Sequence, residues 1–185
     1  MINGKNILRD AGSFSYNTSQ ENLDYFSGAS GHNTIQFDRR DQMPRIGRFL
    51  FGNWLKTTDF SQATEFKNYV GASAAYRDNS GVIHSRKVIL MSSKLKIEDE
   101  IDGFENSAVL RWRLFPGQYS ISENVVSGEQ IQIKFDSSMP IKRLDLSDGA
   151  ESIYYSVKST LPVIELEFEN SGKVLTSVEF RSDGN

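Results

Sequence analysis

The run Ile164-Glu165-Leu166-Glu167-Phe168-Glu169 alternates apolar and acidic residues without interruption. In an extended chain this puts Ile164, Leu166 and Phe168 on one face and the three glutamates on the other, as a strand buried on one side requires. A helix would spread the same residues around its axis. The pattern recurs along the chain. Ile131, Ile133 and Phe135 alternate with Gln130, Gln132 and Lys134, and Leu110, Trp112 and Leu114 share a face opposite Arg111 and Arg113. Further strand-like runs cover residues 34–38, 47–51, 73–77, 82–91, 94–98, 153–157 and 174–180.

Turn chemistry separates these runs at short intervals. Gly52-Asn53, Asn79-Ser80-Gly81, Asp102-Gly103, Ser127-Gly128, Ser147-Asp148-Gly149 and Asn170-Ser171-Gly172 supply residues that tolerate positive φ or close their own turns. Many short strands with regular turns predict an all-β fold, an antiparallel β-sandwich. Only residues 61–70 read as a helical turn or two, with Ala63, Phe66 and Tyr69 spaced by threes. No linker, low-complexity tract or internal repeat divides the chain, so residues 1–185 are expected to form one domain.

The 185 residues suffice for a hydrophobic core. Lys and Arg number 21 against 24 Asp and Glu, a formal charge of −3, which argues against nucleic acid as a partner because such surfaces carry a basic excess. The absence of cysteine excludes disulfides, thiolate metal sites and cysteine nucleophiles. No apolar run is long enough to cross a membrane, so none is expected as a partner. The first residues, Met1-Ile2-Asn3-Gly4-Lys5, lack the charged-then-apolar pattern of a signal peptide and read as an Asn-Gly turn.

Reactive residues are few. The two histidines are His32 and His84. No Gly-x-Ser-x-Gly elbow, glycine-rich phosphate loop or dinucleotide fingerprint is present. His32 lies in Ser30-Gly31-His32-Asn33-Thr34 at the start of an expected strand, where it is either a metal or substrate ligand or a ring bonded to a loop carbonyl. Asp10 is either a carboxylate ligand at a strand end or the start of a turn. Tyr16 and Tyr25 suit proton transfer or stacking near a sugar, and equally core or rim packing. His84 and Arg86 share one side of a strand, as a polar stripe or a solvated face. Arg39-Arg40-Asp41-Gln42 and the acidic group Glu98, Asp99, Glu100 and Asp102 read as solvated.

The segment Leu8-Arg9-Asp10-Ala11-Gly12-Ser13-Phe14-Ser15-Tyr16-Asn17, then Tyr25-Phe26 and Gly31-His32-Asn33-Thr34, resembles the heparinase II/III family. So do Phe37-Asp38-Arg39-Arg40-Asp41-Gln42 and Gly47-Arg48-Phe49-Leu50-Phe51-Gly52. His84-Ser85-Arg86-Lys87-Val88, Leu95-Lys96-Ile97-Glu98-Asp99 and Arg111-Trp112-Arg113-Leu114-Phe115-Pro116 then follow in the family's order. The order of several motifs is far more specific than any one of them.

The resemblance implies the C-terminal β-sandwich domain of a larger polysaccharide lyase. Its N-terminal part is an α/α toroid that carries the principal catalysts, and its reaction is β-elimination on acidic, uronic-acid polysaccharides. The family's divalent metal, usually zinc, implies Asp10 and His32 as ligands. Tyr16 matches a cleft tyrosine that some relatives use in catalysis, and Tyr25 is the candidate for binding substrate. Relatives have a further strand upstream with a His-x-His-x-Asp-like segment, which is lacking here. The expectation is therefore a fold without the family's first strand, an unpaired edge near residues 2–16 and a vacant or weak metal site. The chain alone is expected to be inactive, within a periplasmic or secreted parent. The alternative is a non-catalytic carbohydrate-binding module, with Tyr25, Phe26 or Trp54 exposed to stack on sugars, or a purely structural β-sandwich.

Overall fold

The protein is described here by a computed structural model covering residues 4–180. Met1, Ile2 and Asn3, and with them half of the expected Asn3-Gly4 turn, lie outside the described residues. The expected all-β, antiparallel sandwich class is borne out, with two antiparallel sheets. The chain falls into two compact units that interleave in sequence.

The first unit comprises Met1–Trp54, Glu105–Gly117 and Ile141–Glu169. It holds helix α1 (Gln20–Ser27), a 3-10 turn (Ala29–Gly31) and strand β1 (Ile35–Phe37). Strands β6 (Ala108–Arg113), β10 (Arg143–Glu151) and β11 (Ser159–Phe168) complete its sheet, in the order β1-β6-β11-β10. The alternation in β11 has its expected effect. Ile164, Leu166 and Phe168 have no solvent exposure. On the opposite face Glu165 stands across from Arg111, and Glu167 across from Arg143. Arg111 Nε reaches Glu165 Oε1 at 2.7 Å, and Arg143 Nε reaches Glu167 Oε2 at 3.0 Å. Cross-strand pairs of opposite charge contribute modestly, roughly 0.2–1 kcal/mol each, so burial on the apolar face dominates.

The second unit comprises Leu55–Phe104, Gln118–Pro140 and Asn170–Asn185. Its strands are β2 (Lys56–Glu65), β3 (Val70–Arg77), β4 (Ile83–Leu90), β5 (Lys94–Asp102), β7 (Tyr119–Ser122), β8 (Val125–Gly128), β9 (Ile131–Ser137) and β12 (Gly172–Phe180). They pair in the order β2-β3-β4-β5-β12-β9-β8-β7. The same period buries Ile97 and Ile101 of β5, Ile131, Ile133 and Phe135 of β9, and Val174 and Val178 of β12. β2 is an edge strand whose ten residues are all exposed.

Several sequence expectations need correction. Residues 61–70 are not helical but form the end of β2, the turn and the start of β3. Threefold spacing there is coincidental, since the pairing of β2 with β3 satisfies the backbone. Residues 47–51 and 153–157 are rich in apolar side chains but join no strand among the described residues, Phe51 making only an isolated bridge to Arg45. The first run closes on itself, with Ile46 N–H donating to Leu50 O at 2.9 Å and Gly52 N–H to Pro44 O at 2.9 Å. The second bends through Ser156 at a positive φ of 59°. Helix α1 was not foreseen, although Ser19 caps it by accepting from Asn22 N–H and Glu21 lies in its first turn.

Candidate functional site

Arg9 N–H donates to Arg113 O at 2.8 Å and Phe115 N–H to Ile7 O at 2.9 Å, so the chain before Asp10 runs beside the end of β6. Ala11, with no solvent exposure, then binds Gly31 O through its N–H at 3.1 Å and accepts from Ser152 N–H at 2.7 Å. Close approach on both sides demands small residues. A Cβ on Gly12 would lie 2.5 Å from Ser152 O, and Gly12 has φ +74° besides; a Cβ on Gly31 would lie 2.5 Å from Tyr25 O. This packing brings residues 10 and 32 together across 22 positions of sequence.

The result is a direct pair. His32 Nδ1 lies 2.6 Å from Asp10 Oδ2, and Gly12 N–H donates to Asp10 Oδ1 at 2.9 Å. An ionised carboxylate only accepts, so Nδ1 carries the proton of this hydrogen bond, and in the neutral tautomer Nε2 keeps the lone pair. Burial pushes the Asp10 carboxyl up. The hydrogen bonds from His32 and Gly12 and the charges of His32 and Arg113 outweigh it and hold the group below the usual aspartate value. The pair stays accessible, with side chains 38% and 57% exposed.

Asn33 fixes the neighbouring backbone. Its Nδ2 donates to Arg9 O at 2.9 Å and its Oδ1 accepts from Arg113 N–H at 2.7 Å. Arg113 itself has no solvent exposure. Its guanidinium donates to Ser30 O at 3.1 Å, Tyr25 Oη at 3.1 Å and Ala150 O, while its Nε has no partner among the described residues. Arg9 Nε pairs with the buried Glu151 at 2.7 Å.

Tyr25 is thus half-buried and committed. Its hydroxyl accepts from Ala150 N–H at 2.7 Å and from Arg113, whose guanidinium also sits 5.6 Å from its ring centre. Phe26, expected to be exposed for stacking, is only 4% exposed and packs on Phe14. Trp54 is exposed, as expected. Tyr16 belongs to a separate aromatic group, edge-on to Phe49 at 5.6 Å and tilted to Tyr155 at 6.2 Å. It lines a pocket of about 210 Å³ with Phe26, Arg45, Arg48, Phe49 and Phe51. Sequence reasoning missed Asn33, Arg113 and Glu151 as supports. Arg113 stood in the basic-apolar alternation of β6 and in a family motif, but the alternation implied an exposed side chain.

In the second unit the acidic group proves not to be solvated throughout. Asp99 has no solvent exposure and takes His84 Nε2 at 2.7 Å, Arg86 Nε at 2.6 Å and Arg86 Nη2 at 3.1 Å. His84 and Arg86 form the polar stripe, and Tyr76 lies edge-on to His84 at 5.4 Å.

Asp10 and His32 suit zinc by donor type, but they are two donors where a structural or catalytic site uses three or four protein ligands. Tetrahedral zinc also holds its N and O ligand atoms roughly 3.3 Å apart, so the hydrogen-bonded pair must open to bind through these atoms. Among the described residues no group of three or more metal-ligating side chains comes together. These residues do not by themselves fit a closed zinc site.

The family described as "Heparinase II/III-like, C-terminal" matches residues 1–175. No curated protein matches. Among solved structures, "Heparinase III-BT4657 gene product" superposes with a TM-score of 0.77 at 17% identity, covering 97% of this chain and 29% of that one. The heparan sulfate lyase HepC from Pedobacter heparinus gives 0.71 at 18% identity, covering 98% of this chain and 29% of that one. The chain therefore shares their fold and spans less than a third of their length.

Proposed function

This chain belongs to the heparinase II/III-like C-terminal family, and from that membership we propose that it is the β-domain of a polysaccharide lyase. The observation that carries the reading is the family match across residues 1–175, joined to a shared fold with two lyases. The substrate is an acidic, uronic-acid polysaccharide. The partner is an N-terminal α/α toroid of the same parent, which holds the principal proton-transfer groups. In the reaction the C5–H bond breaks as a base takes the proton. The C4–O bond breaks as an acid protonates the departing glycosidic oxygen, and a C4–C5 double bond forms.

The β-domain's part is to complete the cleft. In this reading Tyr16 exchanges a proton with the sugar or holds it, which its 55% exposure in the lining of a pocket supports. Asp10 and His32 supply two ligands of the parent's divalent metal, zinc by the chemistry of an imidazole and a carboxylate, with the others from outside the described residues. Tyr25 acts through Arg113 rather than on the sugar, since its hydroxyl already accepts from Arg113 and Ala150 N–H and donates to Ala150 O. No helix among the described residues is long and apolar enough to cross a membrane. A polymeric substrate places the parent in the periplasm or outside the cell.

The test is the ultraviolet absorbance of the unsaturated uronate product on heparan sulfate and alginate. The chain alone should give no rise, and the chain joined to the N-terminal part of its parent should give one. In the joined enzyme Tyr16→Phe should lower kcat with little change in KM. Turnover by the chain alone, or none by the joined enzyme on any uronic-acid polymer, sinks the proposal.

A further inference from the structure

We infer that the pocket beside Tyr16 is a subsite for one anionic sugar ring, with Arg48 as the group that selects the anion; this rests on the acidic-polysaccharide reading above. The two arginines lining this pocket differ in kind. Arg45 is spent on structure: Nη1 donates to Arg48 O at 3.1 Å and Nη2 to Leu23 O at 2.8 Å and to Ser27 Oγ. It also lies 3.6 Å from Asp24 and 5.5 Å from the Phe51 ring centre. These contacts tie loop 45–51 to helix α1 and form one wall. Arg48 lines the same pocket and is exposed, and its guanidinium makes no hydrogen bond or ion pair among the described residues.

The loop presents that free charge deliberately close to aromatic surface. Gly47 N–H donates to Leu50 O at 3.1 Å and Leu50 N–H to Gly47 O at 3.4 Å, so Arg48 and Phe49 are the two residues at the tip of a closed turn. Phe49 is 71% exposed and meets Tyr16 edge-on. Sugar rings offer C–H faces that stack on such rings, and a carboxylate or sulfate on the ring matches a planar guanidinium through paired N–H···O bonds. The pocket lining holds two arginines and no carboxylate, and Asp24, which Arg45 approaches, also accepts from Gln20 at 2.7 Å, so the pocket keeps a positive surplus. A volume of about 210 Å³ is smaller than the roughly 300–1,000 Å³ of sites for whole drug-sized ligands. It suits one ring of a longer chain.

Titration calorimetry of this chain with a heparan sulfate tetrasaccharide, and with neutral cellotetraose, tests the inference. The acidic sugar should bind at least tenfold more tightly than the neutral one. Arg48→Ala should remove that preference and leave Tm unchanged, because the side chain is exposed and unbonded, and Arg48→Lys should restore part of it. Acidic-sugar affinity of Arg48→Ala within twofold of the unsubstituted chain overturns the subsite, as does no binding by the unsubstituted chain. Turnover by the joined enzyme reads the lyase proposal separately. A lyase unaffected by Arg48→Ala keeps that proposal and loses this one, while Arg48-dependent binding without any lyase does the reverse.

Discussion

Asp99 is a carboxylate with no contact with water, and its neighbours decide what acid does to the fold. Burial alone would raise its pKa. The hydrogen bond from His84 and the charge and hydrogen bonds of Arg86 outweigh that and lower it. A folded-state pKa below the unfolded value, about 3.9, means stability that is full above that value. It is lost as pH falls through the lower folded value. Asp99→Asn removes the titration while keeping the shape. The variant should be less stable at pH 7, because Arg86 and His84 lose their anion, by roughly 3–5 kcal/mol as for a broken buried pair. Its further loss between pH 5 and 2 should be smaller than that of the unsubstituted chain. Denaturant melts across that range check this; identical acid slopes would mean that Asp99 is not the group responsible. Sequence reading placed His84 and Arg86 on one side of a strand correctly but missed Asp99. A carboxylate in an acidic run looks solvated until its cross-strand neighbour is known, and the β4–β5 register pairs Arg86 with Asp99.

At the scale of elements, period two identified the strands that bury one face, and it failed where burial and pairing part company. β11, β9 and β12 alternate and pair on both sides. Residues 47–51 and 153–157 carry the same apolar content, yet they lie in loops whose aromatics remain exposed, such as Phe49 and Tyr154 at 71% and 73%. Hydrophobic content alone does not supply a hydrogen-bonding neighbour. The segment from Arg9 to Gly12 shows a different kind of signal. Gly12 lies within a stretch that resembles the family, and the structure gives a reason for glycine there: positive φ together with contact against Ser152 O. Gly12→Ala should therefore cost about 1–3 kcal/mol from left-handed backbone and steric conflict. It should also displace Asp10 from His32, seen as a changed His32 imidazole shift in NMR spectra. An unchanged His32 resonance would show that the pair does not depend on this close approach. The pairing of Asp10 with His32 itself came from family resemblance; nothing in their spacing of 22 residues discloses a 2.6 Å contact.

For the molecule as a whole, the described residues offer a metal two donors, and this sets how strongly metal can act on the entire fold. A ligand stabilises the state that binds it in proportion to occupancy, so zinc at a concentration no higher than its Kd contributes at most about 0.4 kcal/mol. For a chain of this size that corresponds to a rise in Tm of less than about 2 °C. The expected result is thus a small zinc effect on this chain, abolished by His32→Ala. In the parent, where further donors join Asp10 and His32, a chelator should lower Tm by more than that amount. Thermal melts of both proteins, with zinc and with chelator, make the comparison. A zinc shift of many degrees in the chain alone, lost in His32→Ala, would mean that further ligands lie within its own residues and that the two-donor reading is wrong. The pair's own hydrogen bond decides which nitrogen is open. With Nδ1 bonded to Asp10 Oδ2 at 2.6 Å, Nε2 is the His32 nitrogen left for a metal, so the weak binding expected rests on the donor count.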